Sequence, residues 1–224
     1  MSRLLITFAS LFECQKVFPE IETKFFSSPF FSVAKDVDAA LLDVGLLPFA
    51  TALTSLFSKN YWPMVIQAGI AGAYLDRGLS IGDLVRVDTE ILGDQGFQEA
   101  NGSFQPWPIK ENGKPVSYSA SHICYSPREI SELKGVRGLT VNTCTGTSLL
   151  AETRRHFYDV DVESMEGASI FALAPIFNFK AYEVRAISNC NFRITVLKPL
   201  SIKNDKNINI VQWSYFRSSF IRTS

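Results

Sequence analysis

The sequence predicts an α/β protein built around a largely parallel β-sheet. Short apolar runs of strand character alternate along the chain with segments of helical character, and this alternation is typical of parallel strands joined by helices. The chain has 224 residues, of which 46% are hydrophobic, so one large domain with a sizeable buried core is expected. No linker-like segment and no internal repeat divides the chain.

The individual elements follow from these runs. We expect strands at residues 4–9, 39–44, 64–68, 83–92, 139–143, 160–163 and 182–187, and helices at 46–57, at 148–157 and from about residue 164. The strand at 83–92 shows a period of two, and the helix at 46–57 tolerates Pro48 only within its first turn. Residues 93–121 are polar, aromatic and rich in Gly and Pro, which predicts a long surface excursion of a kind that is often functional.

Composition argues against several classes of partner and site. The net charge is zero, which argues against nucleic acid or an anionic membrane as the partner. The apolar runs are shorter than the roughly 18–20 residues of a membrane span, and the first residues lack the cleavage site of a secretory signal. The four cysteines lack paired spacing, and only two histidines accompany them. We therefore expect no metal and a reduced, cytoplasmic setting.

Residues 190–224 differ in composition from the rest of the chain. They contain no Gly, Ala or Glu, and six Lys or Arg residues stand against one Asp. We therefore divide the chain into a domain at 1–189 and a basic C-terminal tail at 190–224. The tail is either a solvated end or a divergent or misframed segment that does not belong to the fold.

The segment "DVESMEG" at residues 161–167 places two carboxylates where a strand is predicted to end and a helix to begin. Ligands of α/β folds bind at such points. Glu163 and Glu166 are three residues apart, so both would share one face of the first helical turn, where the helix dipole favours ionised carboxylates. An ionised Glu accepts hydrogen bonds from two adjacent hydroxyls, such as a ribose diol. The alternative is helix capping, with Ser164 as the N-cap residue.

Several motifs together resemble one known superfamily. "VIQAGIAGAY", "IGDLVRVDTEILGDQGF", "VESMEGASIFAL" and "YEVRAISN" occur in this order and resemble the nucleoside phosphorylase/nucleosidase superfamily. With "TVNT" they are most similar to the futalosine hydrolase family. The resemblance runs from about residue 4 to residue 189, with a weak patch at 15–36. It implies a single-domain three-layer sandwich around a central mixed, largely parallel sheet.

The resemblance also implies roles for the sugar and water sites. The family's water-activating Glu, which follows the first strand, aligns with Glu13; without the family, this residue would be a surface Glu that opens a helix. The family's sugar-binding Met-Glu pair aligns with Met165 and Glu166. Glu166 would then hold the ribose hydroxyls, and Met165 would pack against the sugar face. Gly167 would allow its helix to approach another element closely.

The base site is implied at Asn189, where adenine-specific relatives have an Asp that protonates the purine N7. An amide donates hydrogen bonds to both N7 and O6 of a 6-oxopurine such as hypoxanthine, so Asn189 would be catalytic and would disfavour adenine. A loop Asn that makes a turn is the alternative. The segment "TVNTCTGT" at 140–147 resembles the loop that covers the base, which gives Asn142 and Thr143 as substrate-binding residues.

The segment "QAGIAG" at 67–72 bears on the attacking group. Glycines here let the backbone approach a ligand, and Ile70, Ala71 and Gly72 are the expected substrate-binding residues. The superfamily's phosphorylases carry a phosphate-binding Arg at the position of Gln67 and a Ser or Thr at the position of Ile70. A phosphate would lack its charged, bidentate partner here, which favours hydrolysis over phosphorolysis.

The resemblance thus implies a hydrolase of N-glycosyl compounds that needs no metal or organic cofactor. The expected reaction is hydrolysis of futalosine to hypoxanthine and dehypoxanthine futalosine, a step of alternative menaquinone biosynthesis. A methylthioadenosine/adenosylhomocysteine nucleosidase, a purine nucleoside phosphorylase and an inactive nucleoside-binding homologue stay open as alternatives. The expected partners are a small-molecule nucleoside and further copies of the chain in a homo-oligomer, a dimer or higher, because the superfamily pairs subunits around the site.

Overall fold

The structure is a computed structural model that describes residues 3–19, 21, 30–107, 109–110, 113–121 and 126–190. Its elements in chain order are β1 (Leu4–Phe8), α1 (Leu11–Val17), β2 (Phe30–Ala34), β3 (Val37–Leu41), α2 (Leu46–Phe57), β4 (Met64–Ala73), β5 (Leu84–Leu92), β6 (Gly96–Gln98), β7 (Phe104–Pro106), β8 (Ser117–Ser119), α3 (Arg128–Ser131), β9 (Lys134–Thr140), α4 (Ser148–Tyr158), β10 (Val162–Ser164), α5 (Gly167–Phe177) and β11 (Lys180–Cys190). Residues 191–224 lie outside the described residues, so the division of the chain at residue 189 stays a prediction.

A nine-stranded sheet organises the described part of the chain. β1 lies between β3 and β4 and is parallel to both, and β11 runs parallel to β4 on its other side. β9 is parallel to β5 and to β10. The antiparallel pairings are β2 with β3, β5 with β11, β5 with β8 and β4 with β10. The sheet is therefore mixed, and the α/β class is confirmed.

The sheet also closes on itself, which corrects the predicted three-layer sandwich. β10 pairs with β9 and also with the end of β4, at Gly72 and Ala73, so β4, β11, β5, β9 and β10 form a closed ring. β4 is ten residues long, and only residues 64–67 pair with β1. Strand twist accumulates along such a length and carries the end of β4 towards β10. With five parallel pairings against four antiparallel ones, the description of the sheet as largely parallel is also wrong.

Apolar clusters on the two faces of the sheet fix the helices. Phe49 and Leu53 of α2 and Ile170 of α5 are fully buried in one cluster, and α2 packs directly against α5. Cys14 and Val17 of α1 are buried in a second cluster. Burial of each large apolar side chain contributes about 1.5–3 kcal/mol. These contacts hold the first residues of α1 and α5 close to the strands that precede them.

The excursion at residues 93–121 is only partly separate from the sheet. β6 and β7 pair with each other in a small sheet of their own, as a surface excursion predicts. Phe97 and Trp107 of this segment are exposed. β8, in contrast, returns to the main sheet and pairs with β5. Within the described residues, no helix has the length and apolar character needed to cross a membrane.

Candidate active site

The two carboxylates of the "DVESMEG" segment separate in the structure. Glu163 lies in β10 and Glu166 immediately precedes α5, so they do not share a helix face. The helix begins at Gly167 with Glu166 as its N-cap residue, and Ser164 belongs to β10, from where its hydroxyl accepts from the Gly167 amide at 3.4 Å. The cause is the pairing of β10 with two neighbours, which holds residues 162–164 extended. The predicted shared face and the predicted cap are therefore wrong, and each carboxylate has its own partners.

Glu163 anchors the loop that follows β9. Its buried carboxylate accepts hydrogen bonds from the Tyr74 hydroxyl at 2.6 Å, from the Thr145 amide at 2.7 Å and from the Thr145 hydroxyl at 2.6 Å. The Arg154 guanidinium donates to the same carboxylate at 3.1 Å and to the Thr143 carbonyl at 3.0 Å. Burial and the Glu163 charge raise the pKa of the Tyr74 hydroxyl, which keeps it a neutral donor. Glu163 is thus fully used in holding this loop.

Glu166, the residue predicted to bind ribose, is buried at the start of α5. The Gly45 amide donates to its Oε1 at 3.0 Å, and both terminal nitrogens of Arg185 lie 3.5 Å from its Oε2. Gly45 has a φ of 102°, which a glycine adopts without strain. The carboxylate is therefore positioned by a backbone amide on one side and a guanidinium on the other.

Arg185 of β11 is a site residue that the sequence analysis missed. Only 1% of its surface is exposed, and its Nε donates to Glu183 Oε1 at 2.7 Å. Burial lowers the pKa of the guanidinium, but the carboxylates of Glu183, Glu166 and Glu13 outweigh burial and hold the pKa above its usual value. A signal was present in the sequence, because Glu183 and Arg185 are two charged residues on one face of an otherwise apolar strand.

Glu13, the predicted general base, lies in the first turn of α1, as the alternative of a Glu that opens a helix also required. It forms a capping box with Ser10, whose amide and hydroxyl donate to Glu13 Oε2 at 2.9 and 2.8 Å. Unlike a surface residue it is buried, and its Oε1 accepts from the Ile70 amide at 2.9 Å. Burial and the Glu166 charge raise the pKa of Glu13, against the lowering effect of Arg185.

Gly69 explains how these groups converge. A Cβ at this position would lie 2.8 Å from Glu13 Oε1 and would collide with the Arg185 guanidinium. The neighbouring Ile70 contacts both sides of the cluster, since its amide donates to Glu13 and its carbonyl accepts from Arg185 at 3.3 Å. The structure therefore brings Glu13, Glu166 and the backbone of Ile70 together around Arg185.

Asn189 follows an irregularity in β11. The register with β4 shifts between Ile187 and Asn189, and Asn189 pairs with Gly72. The Ser188 hydroxyl lies 2.9 Å from Asn189 Oδ1 and 3.2 Å from the Ala71 carbonyl. Bulges next to active sites re-aim side chains. Asn189, Ala71 and Gly72 thus lie together at the end of the strand pair that carries Arg185 and Ile70.

Two of the remaining predicted residues are held by Asp94. Asn142 and Thr143 are exposed, and both of their amides donate to Asp94 Oδ2, at 2.6 and 3.1 Å. Asp94 belongs to the "GDQGF" motif, so the two motifs are joined here. Met165 is half-buried beside Glu166. Within the described ranges, no group of three or more His, Cys, Asp or Glu side chains is placed to hold a metal ion.

Comparison with known proteins places this site in a family. No protein-family model matches the chain. A 5′-methylthioadenosine/S-adenosylhomocysteine nucleosidase from Listeria monocytogenes serotype 4a is 30% identical over 166 residues, which cover 68% of this chain and 69% of that protein. The chain belongs to this nucleosidase family. A futalosine hydrolase from Acidothermus cellulolyticus is also 30% identical, over 68% of this chain and 64% of that protein.

Solved structures of nucleosidases share the fold of this family member. A futalosine hydrolase from Helicobacter pylori gives a TM-score of 0.77 at 17% identity, over 99% of this chain and 97% of that one. A methylthioadenosine/adenosylhomocysteine nucleosidase from the same species gives 0.76 at 17% identity, over 98% and 97%. The resemblance to the nucleoside phosphorylase/nucleosidase superfamily is therefore confirmed, and the chain is an N-glycosyl hydrolase of the nucleosidase type.

Proposed function

We propose that this nucleosidase hydrolyses the N-glycosidic bond of futalosine, releasing hypoxanthine and dehypoxanthine futalosine. The observation that carries the proposal is the amide at Asn189, with its oxygen already engaged. Because Oδ1 accepts from the Ser188 hydroxyl at 2.9 Å, the NH₂ group of Asn189 is left to donate. A donor suits the O6 and N7 acceptors of a 6-oxopurine and supports departure of hypoxanthine.

The sugar end of the reaction rests on Glu166. Cleavage of an N-glycosidic bond, like other glycoside hydrolysis, develops positive charge on the sugar. Glu166 accepts the ribose hydroxyls and places negative charge beside that sugar, and Met165 packs against the sugar face. Arg185, whose guanidinium lies 3.5 Å from Glu166 Oε2, gives this buried carboxylate a cationic partner. Asn142 and Thr143, held by Asp94, cover the base.

The attacking water is activated by Glu13. Burial raises the pKa of this carboxyl group above its ordinary value, which brings it nearer to the range in which a general base works best at neutral pH. The adjacent segment of Ile70, Ala71 and Gly72 forms the wall against which the water and ribose lie. General-base assistance of this kind contributes about 10²–10⁴-fold to the rate.

Hydrolysis is preferred to phosphorolysis because the site, as far as the structure describes the chain, offers phosphate no free cation. Gln67 stands where the phosphorylases carry Arg, and its side chain is buried at 1% exposure in β4. Ile70 contributes only backbone groups to the cluster. Arg185 is the nearby cation, and Glu183 and Glu166 already neutralise it. A phosphate would have to displace one of these buried carboxylates.

A methylthioadenosine/adenosylhomocysteine nucleosidase is the second candidate, supported by the relative with that activity in its name. A purine nucleoside phosphorylase and an inactive nucleoside-binding homologue are further alternatives. Incubation with futalosine, methylthioadenosine and inosine, each with and without phosphate, separates all four. We expect free hypoxanthine from futalosine without phosphate. Adenine release at a higher kcat/KM would support the second candidate and overturn the first.

Asn189→Asp is the matched variant for base choice. A carboxylate at this position sets negative charge against O6 of hypoxanthine but can carry the proton that adenine N7 requires. We expect futalosine hydrolysis to fall and methylthioadenosine hydrolysis to rise relative to the unaltered protein. An unchanged ratio of the two kcat/KM values would remove Asn189 from base recognition.

A cytoplasmic role in alternative menaquinone biosynthesis and a homo-oligomeric state complete the proposal. Val44 and Leu47 flank Gly45, which contacts Glu166, and they are exposed at 51% and 75%. Apolar side chains beside a site are suited to cover by a second subunit. Gel filtration should show a species larger than the 25.0 kDa chain; elution only as a monomer would contradict this part.

A further inference from the structure

Two more carboxyl groups lie behind the proposed site, and neither has a role in the reaction described above. Glu90 of β5 and Glu183 of β11 are both 0% exposed. Gly167, the first residue of α5, packs against both. A Cβ there would lie 2.6 and 2.7 Å from the two carboxylate oxygens of Glu183 and closer still to Glu90 Oε1. The two acid groups therefore lie side by side under the start of α5.

Each acid has one oxygen satisfied and one oxygen that faces its neighbour. Glu90 Oε2 accepts from the Thr140 hydroxyl at 2.8 Å, and Glu183 Oε1 accepts from Arg185 Nε at 2.7 Å. Glu90 Oε1 and Glu183 Oε2 are buried and reach no donor among the described residues. A buried acceptor without a donor costs about 1–3 kcal/mol, and more when it is charged. A single proton between the two oxygens satisfies both.

The surroundings decide which acid holds that proton. Glu183 is paired with the Arg185 guanidinium, which favours its ionised form. Glu90 has only the neutral Thr140 hydroxyl as a donor. Burial, followed by the charge of Glu183, raises the pKa of Glu90 well above its ordinary value. Burial also raises the pKa of Glu183, but Arg185 opposes that effect.

We propose that Glu90 is a neutral acid at physiological pH, that it donates a hydrogen bond to Glu183, and that this acid pair positions Arg185 for Glu166. Glu183 holds the Nε side of the guanidinium, so both terminal nitrogens point at Glu166 Oε2. With Glu90 neutral, the Arg185 guanidinium faces the charges of Glu183, Glu166 and Glu13 without a fourth from Glu90. Glu90 and Glu183 are positioning residues, since they are proposed to act on Glu166 through Arg185. This role rests on the function proposed for Glu166.

Infrared spectroscopy tests the protonation state without any assay of activity. The unaltered protein at pH 8 should show the carbonyl stretch of a protonated carboxylic acid, and Glu90→Gln should abolish that band. Glu13→Gln is the matched control, because Glu13 is another buried acid whose pKa is raised by burial, and it should keep the band. Absence of the band from the unaltered protein, or its survival in Glu90→Gln, would overturn the proposal. Absence of the band from the unaltered protein is decisive even if a variant fails to fold.

Kinetics test the positioning role. Glu183→Gln, which loses the charge that holds Arg185, should lower kcat by about 10–100-fold, as misplacement of a binding group does. Glu90→Leu should lower kcat as well, and Glu90→Gln, which restores a neutral donor, should recover most of that loss. Equal kcat values in Glu90→Leu and Glu90→Gln would refute the positioning role. If every nucleoside proves inert while the band behaves as expected, the proposed function fails and the acid pair stands.

Discussion

Replacement of Gly167 by alanine measures how tightly α5 is packed on the acid pair. The added Cβ would lie 2.6–2.7 Å from the carboxylate oxygens of Glu183, far inside the roughly 3.5–4.0 Å of a favourable contact. Both acids are buried on strands of the closed ring, so they have little room to move. Overpacking of this kind costs about 1–3 kcal/mol, and the better helix propensity of alanine returns at most about 1 kcal/mol. We expect a net loss of about 2 kcal/mol.

The measurement is urea unfolding followed by circular dichroism. Gly167→Ala should lower the midpoint at an unchanged m-value, and a chain of this size should lose about 4–8 °C in Tm. Gly146→Ala is the control, because a Cβ there meets nothing within 4 Å, and we expect it to be neutral or stabilising by up to about 1 kcal/mol. A Gly167→Ala protein as stable as the unaltered one would refute the claim that the helix must approach this closely.

Three other perturbations follow from the same contacts. Glu13→Gln should lower kcat by about 10²–10⁴-fold, while calorimetry should show that nucleoside binding is retained. Because the pKa of Glu13 is raised from 4.5, the acidic limb of kcat/KM in the unaltered protein should lie above pH 4.5. An acidic limb below that pH would contradict the assignment of Glu13 as the general base. Arg154→Met leaves the buried Glu163 carboxylate without its cation and should lower the free energy of unfolding in urea by about 3 kcal/mol. Arg128→Met is the control, because it removes an exposed ion pair, and it should change that free energy by less than about 1 kcal/mol. Equal effects of the two variants would refute the importance of burial. The raised pKa of Glu90 means that the folded state keeps a proton which the unfolded chain releases above about pH 4.3. The free energy of unfolding should therefore fall by up to about 1.4 kcal/mol per pH unit as pH rises from about 4.3 towards the raised pKa of Glu90 in the folded state. Glu90→Gln should remove this slope. If the full slope persists in Glu90→Gln, it belongs to other groups.

The elements of the fold were largely predictable, but the closure of the sheet was not. The helix at 46–57 coincides with α2, including Pro48 in its first turn, because local periodicity and proline geometry determine it. The strand expected at 139–143 instead spans Lys134–Thr140, because pairing with β5 and β10 fixes its register and Asp94 holds the amide of Asn142. Closure depends on a two-residue contact between β4 and β10, which no local pattern encodes.

The candidate site shows the same division between local and long-range information. The structure places Glu13, Glu166 and Ile70, which the motifs selected, close to one another, and their roles stay predictions. Arg185, Glu183 and Glu90 were missed because a buried charge becomes interpretable only when its partner is known. Their sequence signal, charged residues spaced by two along a strand, is compatible with an exposed strand face as well as with a buried ion pair. Burial decides between these meanings, and burial is a property of the tertiary structure.

The closed ring of strands also constrains the order in which the molecule can assemble. The end of β4 has to wait for β9, α4 and β10, which are synthesised much later, before its residues 72–73 find their partners. Contacts between segments so distant in the chain carry a large loop-closure entropy and slow folding. Nascent chains that end before residue 162 therefore leave the end of β4 without either partner, and its second partner, β11, is complete only at residue 190.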